Sequence, residues 1–309
     1  MRIAATGLTC VLLAAGCGSQ AGGSRGVPIG GATLKDILSR PGRDVRLVAG
    51  TSDFSPGRVR LSFLVILRDG AAVNRPAARV WVAQSADSKP FAQTTASLEP
   101  IGVPGGSFGY NPNITRLYVA RFPVSVPGDY YVLAEPVGGE PIQALGKLTV
   151  KRVTASPAIG SEAPRSRTPT LATAHGNIAK LTTRVPPDTA LLRYSVAASL
   201  AAHKPFVLVF ATPRFCESRT CGPVVDVVDA VHRRFAHSDI RFIHVEIYKN
   251  NDPAQGPNNW VRQWRLPSEP WTFLVGASGR IEAKFEGSVS VAELSAAVRR
   301  HLEPPSARG

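Results

Sequence analysis

FVLVFATPRFCESRTCGPVV, residues 206–225, is the stretch that decides the fold of the second half of the chain. It opens with FVLVFA at 206–211, a continuous apolar run that is typical of a strand buried on both faces. Pro223 prefers the first position of a helix, and apolar residues recur after it at helical spacing as far as Phe235. The stretch therefore predicts a buried strand, then a loop with two cysteines, then a helix.

The sequence on both sides completes an alternation of helices and strands. Asp188 is predicted to cap the helix before the stretch, and Ser290 with Glu293 has the spacing of a capping box for the last helix. The elements predicted around 206–225 are, in chain order, a helix from Asp188 to about His203, a strand at 241–248, a short helix at 258–264, a hairpin at 271–287 and a helix that ends near Leu302. This order indicates an α/β domain.

The first half of the chain has a different pattern. From Val45 to about Val153, short segments of alternating apolar and polar residues are separated by Pro-Gly, Asp-Gly and Gly-Gly turns. Such a pattern predicts an all-β sandwich of about 100 residues. SVPGDYYVLAEP at 125–136 resembles a strand-turn-strand of immunoglobulin-like bacterial domains. No cluster of chemically active side chains is present here, so we interpret this half as a binding or spacer module.

Composition and charge exclude several classes of protein. The chain is 44% hydrophobic, which is enough to fill real cores and excludes wholesale disorder. It carries 36 Lys and Arg against 22 Asp and Glu, a net charge of +14. These basic residues are scattered and no aromatic ladder accompanies them, so we expect no nucleic-acid partner. A basic protein held near anionic lipid is the simpler interpretation.

The N-terminus predicts export and a lipid anchor. Met1-Arg2 and the apolar segment 3–16 have the form of a secretory signal. LLAAGCGSQ at 12–20 resembles a bacterial lipoprotein signal, in which cleavage after Gly16 leaves Cys17 as the lipid-modified first residue. An ordinary cleaved signal with an incidental Cys17 is the alternative. We expect a lipoprotein on the outer face of the cytoplasmic membrane, attached through Cys17.

The cysteines then point to one pair. Four are present, of which Cys10 leaves with the signal and Cys17 is consumed by the lipid. Cys216 and Cys221 remain as the free thiols of the mature protein. In an exported chain, a lone pair of this kind is interpreted as a disulfide or a redox couple.

Three local features of the second half carry a family resemblance. They are Phe215-Cys216 after a buried strand, Cys221-Gly222-Pro223 at the helix start, and Glu269-Pro270 before the hairpin. With the element order, they resemble the thioredoxin-like superfamily over about residues 186–303. The membrane-anchored, extracytoplasmic thiol-disulfide oxidoreductases of the TlpA and ResA type are the most similar in style. The resemblance implies a protein dithiol or disulfide partner, no dissociable cofactor, and a cis Pro270 that lies against the cysteine pair.

The cysteine spacing departs from this family, because four residues rather than two separate Cys216 from Cys221. On one ideal helix these positions are rotated by about 140° and lie beyond the roughly 7 Å Cα limit for a disulfide. Both cysteines therefore cannot sit inside regular helix if they bond. We favour Cys221, at the helix start, as the more acidic and attacking thiol. In the rival register Cys216 attacks, and exposure decides between them.

Two charged residues are candidates for tuning the thiols. Arg219 lies between the cysteines, and Glu269 is the acid that the resemblance places near the sulfurs. For each of them, the alternative interpretation is a solvated loop residue with no effect on the thiols. The buried acid that many thioredoxins carry before their motif is absent, since Leu208 stands near that place.

Two other functions remain open. The pair is a structural staple if the α/β domain is a non-catalytic binding module. Two thiolates also take up copper(I), as in the Sco-type relatives of this fold. None of the six histidines stands at ligand spacing from another, and His244 is interpreted as a satisfied or edge residue, so we predict no metal site.

The predicted organisation has six parts. They are a signal peptide at 1–16, a tether at 17–43, an immunoglobulin-like β-sandwich at 44–153, a linker at 154–185, a thioredoxin-like domain at 186–303 and a tail at 304–309.

Overall fold

The computed structural model describes residues 31–106, 114–216 and 220–303. The predicted signal peptide, the lipidation site Cys17, the tuning candidate Arg219 and the tail at 304–309 lie outside the described residues. We call residues 45–150 the β region and residues 186–303 the α/β region.

The β region is all-β, as predicted. Its strands are β1 Val45–Ala49, β2 Gly57–Leu67, β3 Ala77–Ala83, β4 Ala92–Pro100, β5 Arg116–Val124, β6 Gly128–Pro136 and β7 Ala144–Val150. Every pairing between them is antiparallel. The prediction of two packed sheets of immunoglobulin type differs from the hydrogen-bonding pattern, which joins all seven strands into one sheet. That sheet has the order β1-β2-β5-β4-β3-β6-β7, and its outer strands β1 and β7 lie against each other.

Strand alternation explains how this sheet closes around one core. Along β2, alternate residues from Val59 to Val65 point into the core, where Phe63 stacks on Tyr118. The intervening residues, such as Arg58 and Arg60, lie on the outer face. Curling the sheet lets its inner face bury itself, so no second sheet is needed to cover it.

A short helix, α1 Leu34–Leu38, packs on the outside of the sheet within the segment predicted as a tether. Thr33 and Asp36 form a reciprocal capping box at its start. Its Leu34 and Ile37 are buried against Trp81 and Leu133, which point outward from β3 and β6.

The α/β region has the predicted element order. Its elements are α2 Val196–Ala201, β8 Phe206–Phe210, α3 Cys221–Arg234, β9 Arg241–Val245, α4 Asn259–Gln263, β10 Trp271–Val275, β11 Ile281–Glu286 and α5 Val291–His301. The sheet order is β11-β10-β8-β9, with β8 and β9 parallel and the other pairs antiparallel. Every residue of β8 and β10 is buried, which confirms that both faces of the sheet are covered.

The two faces of this sheet have separate cores. α3 and α5 cover one face, where Val207 and Val209 pack with Val224 and Leu294. The other face buries Phe210 and Phe273 against Trp264, which follows α4. Trp264 is therefore a packing residue of this core.

The prediction that Asp188 caps a helix is wrong. Asp188 makes no side-chain cap, and only a 3-10 turn, Thr189–Leu192, follows it. Helix α2 begins later, where Ser195 accepts a hydrogen bond from the backbone N–H of Ala198. The reason is a long-range contact: the Asp188 carboxylate accepts a hydrogen bond from Nδ1 of the buried His244 at 2.7 Å.

Only half of the predicted capping box at α5 forms. The Ser290 hydroxyl accepts a hydrogen bond from the Glu293 backbone N–H at 3.1 Å, as expected. The Glu293 carboxylate turns instead to the β region, where it accepts hydrogen bonds from Nε and Nη2 of Arg60 at 2.7 and 2.8 Å. An ion pair between the two regions therefore replaces the local contact.

The segment 154–185, predicted as a linker, has little regular structure but packs on the α/β region. The Ser166 hydroxyl accepts a hydrogen bond from the Trp264 ring N–H at 3.0 Å, and Ser166 is fully buried. The Thr183 hydroxyl donates to the Glu246 carboxylate at 2.8 Å. Serine and threonine here satisfy buried polar groups of the neighbouring fold.

The Asp188–His244 pair generates a prediction about stability and pH. Burial opposes the charged form of His244, but the Asp188 carboxylate outweighs it and raises the histidine pKa to about 9. The pair's contribution is then complete below the unfolded value of about 6.5 and is lost as the pH rises through about 9. We expect the free energy of unfolding to fall between pH 7 and pH 10 through this pair.

The Asp188→Asn/His244→Gln double variant is the control, because it replaces the ion pair with two neutral side chains. Urea unfolding of both proteins at several pH values isolates the pair as the difference between the two curves. If that difference does not change between pH 7 and pH 10, His244 is not charged in the folded protein.

Candidate functional site

The cysteine pair lies where β8 runs into α3. Cys216 is in the loop after β8, and Cys221 is the first residue of α3. They form a disulfide with a Cα–Cα distance of 5.9 Å. The prediction that the two residues cannot both sit in regular helix is confirmed, since only Cys221 is helical.

Burial separates the two sulfurs. Cys221 has no exposed surface and packs in the core with Val224 and Val225. Cys216 is half-buried. The N–H group of Cys221 donates a hydrogen bond to Sγ of Cys216 at 3.1 Å. The more accessible sulfur is thus the one that receives a hydrogen bond from the start of α3.

This arrangement bears on the two registers left open by the sequence. A helix N-terminus stabilises a thiolate through its unpaired N–H groups and aligned peptide dipoles. Cys216 accepts one of those N–H groups although it lies outside the helix. The advantage attributed to Cys221 therefore extends to Cys216, which has the better access to solvent.

Glu269, which precedes Pro270, lies near the pair. A carboxylate oxygen of Glu269 and the sulfurs of Cys216 and Cys221 all lie within 4.8 Å of one another. The prediction that Glu269 approaches the sulfurs is confirmed. The Glu269–Pro270 peptide bond is cis, as predicted, and Pro270 is buried at the start of β10. Its carbonyl accepts a hydrogen bond from the Gly287 N–H at 2.9 Å.

This cluster has a defined chemical capacity. A half-buried carboxylate beside two sulfurs can accept or deliver the proton of a thiol. Once reduced, the two thiolates and the carboxylate can also act as ligands for a soft cation. Among the described residues, no other group of His, Cys, Asp and Glu has ligand spacing.

The β region reaches over the start of α3. A Cβ atom at Gly102 would lie 3.1 Å from Cβ of Pro223, and Gly102 has a φ of +76°. A Cβ atom at Gly106 would lie 2.6 Å from an oxygen of Asp226. Glycine at both positions lets the loop after β4 lie close against the helix that carries Cys221.

Two buried polar contacts near the site were missed by sequence reasoning. Asp226 is almost fully buried in α3 and accepts hydrogen bonds from Nε and Nη2 of Arg184 at 2.9 and 2.6 Å. His244 donates through Nε2 to the carbonyl of Ala211, where the cysteine loop begins, at 3.1 Å. An acid among the valines of α3 was the available signal for Asp226. Leu208, at the place of the missing acid, is buried in β8.

No helix among the described residues is long and apolar enough to cross a membrane.

The comparisons with known proteins yield one distant structural match. No protein family and no curated protein matches the sequence. Among solved structures, the chain is similar to a thiol:disulfide interchange protein of the thioredoxin family from Chlorobium tepidum TLS. The identity is 20% and the TM-score 0.27, over 35% of this chain and 85% of that one. Similarity at this level establishes no function. The described part of the chain has a mixed α/β region of strand order β11-β10-β8-β9 with a close cysteine pair.

Proposed function

We propose that this protein is a lipid-anchored, extracytoplasmic thiol-disulfide oxidoreductase that exchanges dithiol and disulfide with a protein partner. The observation that carries the proposal is the position of Cys216. Its sulfur is bonded to Cys221 and hydrogen-bonded to the first N–H of α3, and the residue is only partly buried. A reactive cysteine needs access and a stabilised thiolate, and Cys216 has support for both.

In the reduced protein, the Cys216 thiolate attacks one sulfur of a partner disulfide. The partner S–S bond breaks, one partner thiolate leaves, and a mixed disulfide joins the two proteins. Cys221 then loses its proton and attacks the Cys216 sulfur. This forms the Cys216–Cys221 disulfide and releases the second partner thiolate, so two electrons pass to the partner. The reverse sequence oxidises a partner dithiol.

Glu269 is the residue that we propose to take the Cys221 proton. Its carboxylate lies within 4.8 Å of both sulfurs, whereas Cys221 itself has no exposed surface from which water could remove the proton. Pro270 belongs to the proposed site as the next residue of the same segment. Arg219 keeps its proposed tuning role on sequence grounds alone.

The assignment of Cys216 as the attacking thiol predicts different behaviour for two single variants. Cys221→Ser should leave a Cys216 thiol with a pKa below about 8.5 that reacts rapidly with iodoacetamide. Cys216→Ser should leave a buried Cys221 thiol that reacts slowly. The measurement is the alkylation rate of each variant across pH. Faster reaction and a lower pKa for Cys221 would reverse the assignment.

The reduction potential separates exchange from a structural staple. The full burial of Cys221 is what favours a staple. An exchanging pair should have a potential above about −300 mV, whereas structural disulfides of secreted proteins lie below that value. We expect the higher value when the protein is equilibrated with dithiol and disulfide buffers. A potential far below −300 mV (about the limit for structural bridges) would favour the staple.

The lipid anchor rests on the sequence at 12–20 and predicts a simple change. Cys17→Ser should release the folded protein from membranes, because a diacylated first cysteine would be its attachment. The measurement is the distribution of the protein between membrane and soluble fractions of cells. The Cys216→Ser variant is a matched control that should stay attached. Continued attachment of Cys17→Ser would contradict the lipoprotein assignment.

A further inference from the structure

A largely apolar cavity of about 530 Å³ lies between the β region and the α/β region, beside the cysteine pair. On the α/β side it is lined by Thr220, the neighbour of Cys221, and by Glu269. Because the Glu269 carboxylate lies within 4.8 Å of both sulfurs, a group in the cavity is close to the reacting atoms. The large apolar side chains on the opposite wall are Val48, Leu64, Ile101, Ile114 and Leu117.

Three of these side chains form a row across neighbouring strands. Val48 on β1 pairs directly with Leu64 on β2, so both lie on one face of the sheet. Leu117 on β5 precedes Tyr118, the partner of Phe63, and therefore lies on the other side of Leu64. Strands stand about 4.8 Å apart, so the row is about 10 Å long.

This row is on the outer face of the sheet, where polar side chains are expected unless something covers that face. The inner positions of β2, such as Phe63, belong to the core. The other outer positions before Leu64 are Arg58, Arg60 and Ser62, which are polar. Val48 is 46% exposed, so the described chain leaves much of its surface open. On β2 the polar outer positions thus end at Leu64, where the strand meets the cavity.

The charged residues that line the cavity are acidic. Among the lining residues that the structure describes, Glu269 and Glu286 are the charged ones, and none is Lys, Arg or His. The Glu286 carboxylate is fixed by hydrogen bonds from the N–H groups of Ser52 and Asp53 at 2.7 and 2.9 Å. The Ser268 hydroxyl donates to the same carboxylate at 2.8 Å. The field in the cavity opposes an acidic occupant.

We propose that this cavity binds a short extended segment of the substrate polypeptide, in which apolar residues and no acidic ones stand beside the reacting cysteine. The proposal rests on the exchange function proposed above. A row of about 10 Å has the length of three residues of extended chain, at about 3.3 Å each. It is longer than one side chain can cover, so we expect a segment of chain as the occupant. The β region thus selects the partner, while the α/β region carries the sulfurs.

The test uses the full-length reduced protein and peptide–glutathione mixed disulfides as oxidants. In each reaction the protein dithiol becomes the Cys216–Cys221 disulfide, and the peptide thiol and glutathione are released. One peptide has leucine and valine around its cysteine, and the other has aspartate and serine. The disulfide of 2-mercaptoethanol, which has no side chain to bind, reports the exchange reaction alone. We expect the apolar peptide to react at least about tenfold faster than the acidic one.

Val48→Glu and Val48→Lys test the cavity wall. The glutamate should lower the rate with the apolar peptide about tenfold, and the lysine should raise the rate with the acidic peptide. Neither should change the rate with the small disulfide. Val126→Glu is the matched control, because Val126 is 52% exposed in the β region and does not line the cavity. It should leave all rates unchanged. Since Val48 is so exposed, both charges are expected to be tolerated by the fold.

Three results would overturn the proposal. Equal rates for the two peptides, or Val48 variants that keep the wild-type ratio of the two peptide rates, would show that the cavity does not select the substrate. Normal reaction with the small disulfide would in that case still support the exchange function. A blocked Leu-Cys dipeptide that reacts as fast as the longer peptide would indicate a small-molecule occupant. Failure of every disulfide to react, the small one included, would reject the exchange function and this inference with it.

Discussion

The buried ion pair between Arg60 and Glu293 holds the β region against the α/β region, and the cavity beside the cysteines depends on it. The guanidinium donates two hydrogen bonds to the carboxylate, and a third, at 2.8 Å, to the carbonyl of Ser288. Burial lowers the pKa of Arg60 to about 10, so it remains charged at neutral pH. Ser288 lines the cavity, and Leu64 lies four residues beyond Arg60 on the same face of β2. Arg60 thus links the strand that carries one wall of the cavity to the segment that carries the other. Removing either partner would leave the other as an unpaired buried charge, which destabilises the folded protein more than loss of the whole pair.

The spacing of the cysteines is the second constraint. A disulfide across four intervening residues requires Cys216 to lie outside the helix that Cys221 begins, and the two Cα atoms are 5.9 Å apart. The N–H of Cys221 then points at the Cys216 sulfur. A longer spacing therefore gives an arrangement in which the exposed sulfur sits outside the helix and still benefits from its N-terminus, while the buried sulfur is part of the core.

Local sequence signals predicted the α/β region well, because most of its elements have a recognisable pattern within a few residues. The apolar run at 206–211, Pro223 after the cysteines and the hairpin at 271–287 need no distant partner to be recognised. Asp188 shows where this reasoning fails. An aspartate before a helix is a good cap by itself, but its partner is His244, 56 residues further along the chain. Glu293 fails in the same way, since Arg60 is 233 residues away. Alternation likewise predicted the β strands, although it could not show that their sheet curls onto itself.

The charged residues near the site are acidic, whereas the chain as a whole is basic. A net charge of +14 would favour thiolates everywhere if charge acted uniformly. The cavity instead presents Glu269, which lies beside the sulfurs, and Glu286, with no cation among its described lining residues. Screening confines the field of exposed charges to about 10 Å at ordinary ionic strength, so the scattered surface bases contribute little there. Stabilisation of a Cys216 thiolate must then come from the N–H of Cys221 and the dipole of α3, acting against Glu269. The carboxylate that we propose as the proton acceptor for Cys221 therefore also opposes the negative charge of a Cys216 thiolate, so the same residue assists one step of the exchange and disfavours another.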